Sequence, residues 1–174
     1  CYSRSSDLKL DITNEGSISS AAQELEKKNI KIKLIINTIG YLHDTKTFPE
    51  KKVAEINNEY MLKSFRINTI GHALIIKHFA PLINHEKKSV IACLSARVGS
   101  ISDNFLGGWF SYRASKAALN QLVRSTSIEF KRKKSKLIFI AIHPGTVFTN
   151  LSKPFVKKSG VFSPYESAIK ILKV

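Results

Sequence analysis

Three runs of aliphatic and β-branched residues narrow what this chain can fold into: Lys33–Thr38 (KLIINT), Ser89–Ser95 (SVIACLS) and Lys136–His143 (KLIFIAIH). Each run is continuously apolar rather than alternating, the pattern of a strand buried on both faces. Segments with helical spacing lie around them. Ser17–Lys28 puts Ile18, Ala21, Ala22 and Leu25 on one stripe, after a turn and cap at Thr13–Gly16. A longer helical stretch covers Val53–Asn84, with a break expected near Asn57 and Asn58, and another covers Ser111–Lys134. A last amphipathic segment runs from Tyr165 to Leu172. Strands alternating with helices predict an α/β fold, a doubly wound parallel sheet flanked by helices. No internal repeat or long linker divides the chain, so residues 1–174 read as a single domain. Ligands of such sheets bind beyond the carboxyl ends of the strands. Here those ends are Asn37–Gly40, Ser95–Gly99 and His143–Thr149.

Composition narrows the function classes. With 174 residues, 43% hydrophobic and 24% charged, the chain is long and apolar enough for one real core. The net charge of +15 raises the question of nucleic acid. The cations are dispersed, however, and the single run, Lys131–Lys134, sits near a predicted helix C-terminus, where the dipole favours them. No helix-turn-helix, zinc or RNP pattern accompanies them, so they read as solvated surface and no nucleic-acid partner is expected. The longest apolar stretch, Leu74–Ile83, is interrupted by Lys77 and His78, too short and too polar to cross a bilayer. Of the two cysteines, Cys1 and Cys93, the second lies in a strand run and reads as a core residue of a reducing, cytoplasmic compartment. His43, His72, His78 and His85 lack ligand spacing, so no metal is expected.

Chemistry concentrates at the start of the Ser111 helix. Tyr112 and Lys116 are four residues apart and share one helix face. A phenol with its ordinary pKa near 10 is a poor acid–base group at neutral pH. A neighbouring ammonium lowers that value and makes the phenol a usable proton donor to a carbonyl. A tyrosine–lysine pair alone is a weak signal, because such spacing arises readily by chance.

Six segments in order strengthen it. Tyr112–Asn120 (YRASKAALN) resembles the active-site helix of the short-chain dehydrogenases/reductases, and Val90–Ile101 (VIACLSARVGSI) resembles the strand and loop carrying that family's serine. Asn37–Gly40 (NTIG) resembles its Asn-Asn-Ala-Gly turn, Phe65–Gly71 its asparagine helix, Pro144–Thr149 (PGTVFT) its Pro-Gly loop, and Leu10–Thr13 the end of its third strand. Within the family, the loop Gly99–Asn104 followed by Gly107–Trp109 resembles that of the C-factor-like and sniffer-like carbonyl reductases.

The resemblance implies a Rossmann-like fold and an NAD(P)-dependent oxidoreductase acting on a small carbonyl or alcohol substrate. It implies Tyr112 as general acid or base, Lys116 holding the nicotinamide ribose and lowering the phenol pKa, and Asn68 positioning a water. It further implies Asn37 and Gly40 beside the adenosine side, Asp11 at the adenine, and Pro144, Gly145 and Thr149 at the carboxamide. Arg4, at the place where relatives meet a 2′-phosphate, points to NADP(H) over NAD(H). A homodimer or homotetramer is expected, with the two long helices at the interface. Phe148–Phe162 would form a substrate lid, and Phe105, Trp109 and Phe110 would wall an apolar pocket.

Two departures stand out. The family serine position, three residues before Gly99, holds Ala96, which leaves Ser95 as the expected donor and Ser100 as its rival. No glycine-rich turn precedes a helix, so the first β-α unit is expected to be missing, as is the last strand. These departures keep open an alternative, a non-catalytic C-factor-like signalling or scaffold protein.

Overall fold

The computed structural model describes residues 1–6, 8–157 and 159–173; Lys158, inside the expected lid, lies outside them. Helix α1 spans Glu15–Lys27 and starts where Asn14 Oδ1 accepts the Ser17 N–H at 3.2 Å. Strand β1 spans Leu34–Asn37. The expected break is real: Asn57 caps helix α2 (Asn58–Phe65) by accepting the Tyr60 N–H, and Val53–Glu55 becomes a separate 3-10 turn. A π-helical segment, Arg66–Ile70, joins α2 to helix α3 (Gly71–Phe79), and Ala80–Leu82 closes the rod as a 3-10 turn. Strand β2 (Ser89–Leu94), helix α4 (Phe110–Arg132), strand β3 (Leu137–Ile142) and helix α5 (Pro164–Leu172) follow. A reciprocal capping box between Ser163 and Glu166 starts α5.

The strands pair in parallel in the order β1-β2-β3, with Ile35 beside Ile91 and Ile91 beside Phe139. Parallel strands need crossovers, and α2 to α3 and then α4 supply them. The apolar run Leu8–Ile12 forms no strand of this sheet; among the described residues it contributes one bridge, Lys9 with Ser3.

The core lies between the sheet and the helices on one of its faces. Ile91, Cys93, Leu137 and Phe139 pack with Ile76 after the π segment and with Leu119 and Val123 of α4. Ile18, Ala21 and Ala22 of α1 pack with Ile75 and Phe79 of α3 and with Leu10 and Ile12. The other face carries the register row Leu34–Val90–Ile138, in which Leu34 is 49% and Ile138 38% exposed. Among the described residues no helix is long and apolar enough to cross a membrane.

Candidate active site

The site begins at the carboxyl end of β1, where the chain turns through Asn37–Tyr41. Buried side chains hold this turn. Asn37 Oδ1 accepts the Ile39 N–H at 3.2 Å. Asn68 is fully buried and grips Tyr41 twice: its Oδ1 accepts the Tyr41 N–H at 2.7 Å and its Nδ2 donates to the Tyr41 carbonyl at 2.8 Å. Asn68 Nδ2 also donates to Ser115 Oγ at 3.0 Å, and that hydroxyl donates to the Tyr112 carbonyl at 2.9 Å. A line of hydrogen bonds therefore runs from the turn to the first turn of α4. The π segment makes this possible, since its extra residue leaves Asn68 aimed at the turn; such bulges recur at functional positions. With both Nδ2 protons used, Asn68 keeps only the second lone pair of Oδ1 for the expected water.

Lys116 and Gly40 close the same space. A Cβ on Gly40 would lie 3.8 Å from Lys116 Nζ and 3.9 Å from Asn68 Oδ1, so the glycine faces both groups. Lys116 is 2% exposed, and its ammonium donates to the Leu94 carbonyl at 2.8 Å. Its Nζ is 5.9 Å from the centre of the Tyr112 ring. Burial pushes Tyr112 up to about 12 and Lys116 down to about 8. The expected lowering of the phenol by the lysine is thus overturned in the free chain. Desolvation disfavours both charged forms and outweighs a cation that is itself turned to a carbonyl.

The start of α4 is held from a distance. Trp109 adopts φ 52° and offers no side-chain cap, so the helix takes one from the buried Glu50. The Glu50 carboxylate accepts from the Ser111 N–H at 3.2 Å and from the Ser111 hydroxyl, and its carbonyl accepts the Trp109 N–H. A carboxylate at a helix N-terminus is favoured by the orphan N–H groups and the dipole.

Ser95, the expected donor to substrate, is engaged with α4 in the free chain. Its hydroxyl donates to Asn120 Oδ1 at 2.6 Å, and Asn120 Nδ2 donates to the Gly99 carbonyl at 3.3 Å. Asn120 thereby ties the loop after β2 to α4. That loop passes so close that a Cβ on Gly99 would lie 2.9 Å from the Lys116 backbone carbon. Gly99→Ala is expected to cost about 1–3 kcal/mol, because backbone on both sides must shift. A lower urea midpoint with an unchanged m-value checks it.

The Pro-Gly loop follows β3. Gly145 has φ 78°, and the Phe162 ring lies against it, 2.7 Å from where a Cβ would be. The Pro144 carbonyl accepts the Ser167 hydroxyl at 2.8 Å, and the Thr149 N–H donates to Ser152 Oγ at 3.0 Å. Beyond it the chain reaches back: Phe155 packs edge-on to Trp109 at 5.0 Å between centroids, and Trp109 packs on Tyr112 at 6.1 Å. His43 and Phe48 complete this aromatic wall from the segment after the Asn37–Tyr41 turn. Of the aromatic residues expected to form it, Trp109 does so, whereas Phe105 is 87% exposed.

Asp11 and Arg4 form a separate cluster. Asp11 Oδ1 accepts from the Thr13 N–H and hydroxyl at 2.8 and 2.7 Å, which holds its carboxyl below the usual range, helped by the Arg4 and Arg66 charges. Arg66 donates to the Thr13 carbonyl; like Asn120 it lies inside a family-like segment without having been given a role there, while Glu50 and His72 lie in none of those segments. Only their distant partners reveal them.

Comparison with known proteins follows the same lines. The family model described as enoyl-(acyl carrier protein) reductase matches residues 2–171. The chain is 28% identical over 164 residues to the 1-hydroxy-2-glutathionyl-2-methyl-3-butene dehydrogenase of Rhodococcus sp. (strain AD45), covering 94% of this chain and 68% of that one. The NADPH-bound carbonyl reductase from chicken fatty liver is 28% identical, with a TM-score of 0.82 over 95% of this chain and 67% of that one. The carbonyl reductase Sniffer of D. melanogaster, at 21% identity, shares the fold with a TM-score of 0.81 over 95% of this chain and 68% of its own. The chain thus spans about two thirds of the length of these relatives, and the shared fold is the Rossmann-like one. On the match over residues 2–171 and the six motifs in order, the chain belongs to the short-chain dehydrogenase/reductase family.

Proposed function

We propose that this single domain, residues 1–174, belongs to an NADP(H)-dependent oxidoreductase that moves hydride between the nicotinamide and a small carbonyl or alcohol. The observation that carries the reading is the convergence of Lys116, Asn68 and Gly40 in one buried space, with Tyr112 on the same helix as Lys116. The residues fit such a cofactor. Asn37 Nδ2 is a buried donor with no partner among the described residues, and Gly40 leaves the space beside Lys116 clear of a side chain. Lys116 would hold the ribose hydroxyls, Asn37 and Gly40 the adenosine side, Asp11 and Arg4 the adenine and 2′-phosphate, and Pro144, Gly145 and Thr149 the carboxamide. The bound nicotinamide supplies the hydride. Tyr112, neutral at working pH, donates its phenol proton to the carbonyl oxygen, and the Lys116 ammonium on the same helix is the group that would favour that transfer by opposing the upward push of burial. Phe155 and Trp109 exclude water and favour a partly apolar substrate.

The exposed apolar residues Leu62 of α2, Ile70 of the π segment and Ile128 of α4 support a homodimer or homotetramer, and the free buried thiol of Cys93 suits a reducing, cytoplasmic compartment. The scaffold or signalling reading is favoured by one observation, the engagement of Ser95 with Asn120 beside Ala96, which leaves Ser100 as the remaining candidate for the family's hydroxyl donor. Loss of one such donor typically costs about 10²–10³ in rate, not all activity. The test is NADPH binding and oxidation with aromatic and aliphatic aldehydes. Tyr112→Phe is expected to bind NADPH as the parent does and to lose about 10²–10⁴ in turnover. Turnover that survives Tyr112→Phe removes the assigned proton donor; a parent that neither binds nor reacts leaves the scaffold reading.

A further inference from the structure

His72 is a buried histidine without a place in the family motifs quoted above, and its surroundings give it a task. It follows the π segment and stands four residues after Asn68, on the same side of the rod. Both side chains are fully buried. Its Nε2 is 3.0 Å from the Ile39 carbonyl, which can only accept, so Nε2 carries the proton. Nδ1 is then an acceptor, buried and without a partner among the described residues. A core filled for packing alone would place an aliphatic side chain here, because an unpaired buried polar atom is costly. What the imidazole gains in return is its hold on Ile39. The Ile39 N–H is already held by Asn37, and Tyr41 is held at both its N–H and its carbonyl by Asn68. His72 makes the fourth contact, at the Ile39 carbonyl, the first of the two carbonyls between them, and Gly40 is the residue suspended between these grips. Gly40 is also the residue that faces Lys116 Nζ.

We propose that His72 is a positioning residue that fixes the peptide plane ahead of Gly40, so that the turn presents a rigid backbone edge to the adenosine side of the cofactor. The cofactor half of this statement rests on the proposed function; the rigidity half does not. His72 touches neither substrate nor reacting atoms in this scheme, and acts through Ile39 and Gly40.

The experiment separates the two halves. Amide hydrogen exchange at Ile39, Gly40 and Tyr41 is measured on the free chain, and NADPH affinity by fluorescence titration, for the parent, His72→Leu, His72→Gln and His72→Asn. Glutamine can bring an amide N–H to the place of Nε2, whereas asparagine falls short of it. In His72→Leu and His72→Asn, exchange at the three turn amides is expected to rise about tenfold while β2 and β3 stay protected. NADPH affinity is expected to fall about tenfold with kcat changed far less, and His72→Gln is expected to restore both. Unchanged turn exchange in the variants, or a rise spread evenly over the sheet, overturns the assignment. If His72→Leu does not fold, the glutamine and asparagine variants decide it between them. A parent that fails to bind NADPH removes the proposed function and the cofactor half, while the exchange pattern still judges the rigidity half.

Discussion

Replacing Lys116 with methionine is expected to abolish NADPH turnover and, at the same time, to make the protein more stable. The lysine is 2% exposed, and burial pushes its pKa from the ordinary 10.5 down to about 8. Keeping it charged in the native state at neutral pH therefore costs about 3 kcal/mol, at 1.36 kcal/mol per pKa unit. Methionine has a similar length and no charge, and it forfeits the hydrogen bond to the Leu94 carbonyl, worth about 1 kcal/mol. The net expectation is a gain of about 2 kcal/mol, visible as a higher urea midpoint at pH 7. The sign also fixes its pH course. Above the folded value the native state sheds the proton while the unfolded chain retains it until its own higher value, so the parent gains stability from about pH 8 to 10.5. The advantage of the methionine variant should shrink across that window. Turnover should fall more than about 10²-fold, since among the described residues no other buried cation faces the Gly40 space. A variant no more stable than the parent at pH 7 would mean that the buried ammonium is better solvated than its surroundings imply. Such an outcome would place Lys116 among the groups held against their solvation preference for the sake of the proposed function.

A second large effect concerns acid. Burial, aided by the Lys116 charge, pushes His72 down to about 4, so the imidazole is neutral throughout the working range. Between its ordinary 6.5 and that value the unfolded chain binds a proton that the native state refuses. Stability is therefore intact above about pH 6.5 and is lost as pH falls toward 4, by about 3 kcal/mol in all. Asp44 and Asp103, held low by Lys63 and Arg97, also lose stabilisation in acid. They do so in the parent and in His72→Gln alike, so the difference between the two urea-midpoint curves isolates the histidine. His72→Gln should lie closer to the parent at pH 7 than at pH 4.5, where it should be the more stable. Curves that run parallel from pH 6.5 to 4 would show that His72 takes no part in the acid response.

Much of this was legible in the residues, for physical reasons that also explain the gaps. Continuous apolar runs announce buried parallel strands, and the observed strands Leu34–Asn37, Ser89–Leu94 and Leu137–Ile142 fall inside the three expected runs. Asn57 could be read as a break because asparagine caps helices through its own short side chain. The π segment could not, because one surplus residue shifts the phase of a helix without altering its composition. Glu50 was hidden for another reason. Its partner Ser111 is 61 residues away, and nothing local to a polar loop distinguishes a helix cap from a solvated carboxylate. His72 looked like a scattered histidine until the Ile39 carbonyl was beside it. The Tyr112–Lys116 pair was found by spacing, yet spacing says nothing of solvation, and burial reversed the expected direction for the phenol.

The row Leu34–Val90–Ile138 gives the positive charge a meaning that has nothing to do with a ligand. A strip of apolar side chains open at both edges of a sheet is adhesive, and copies of the chain meeting there would bury it. The net charge of +15 works against such encounters, because two copies repel before the strips can touch. That repulsion reaches only about 8 Å at physiological ionic strength and about 3 Å at 1 M. For this chain taken by itself, the positive charge is thus expected to delay contact between such strips, and added salt is expected to shorten that delay.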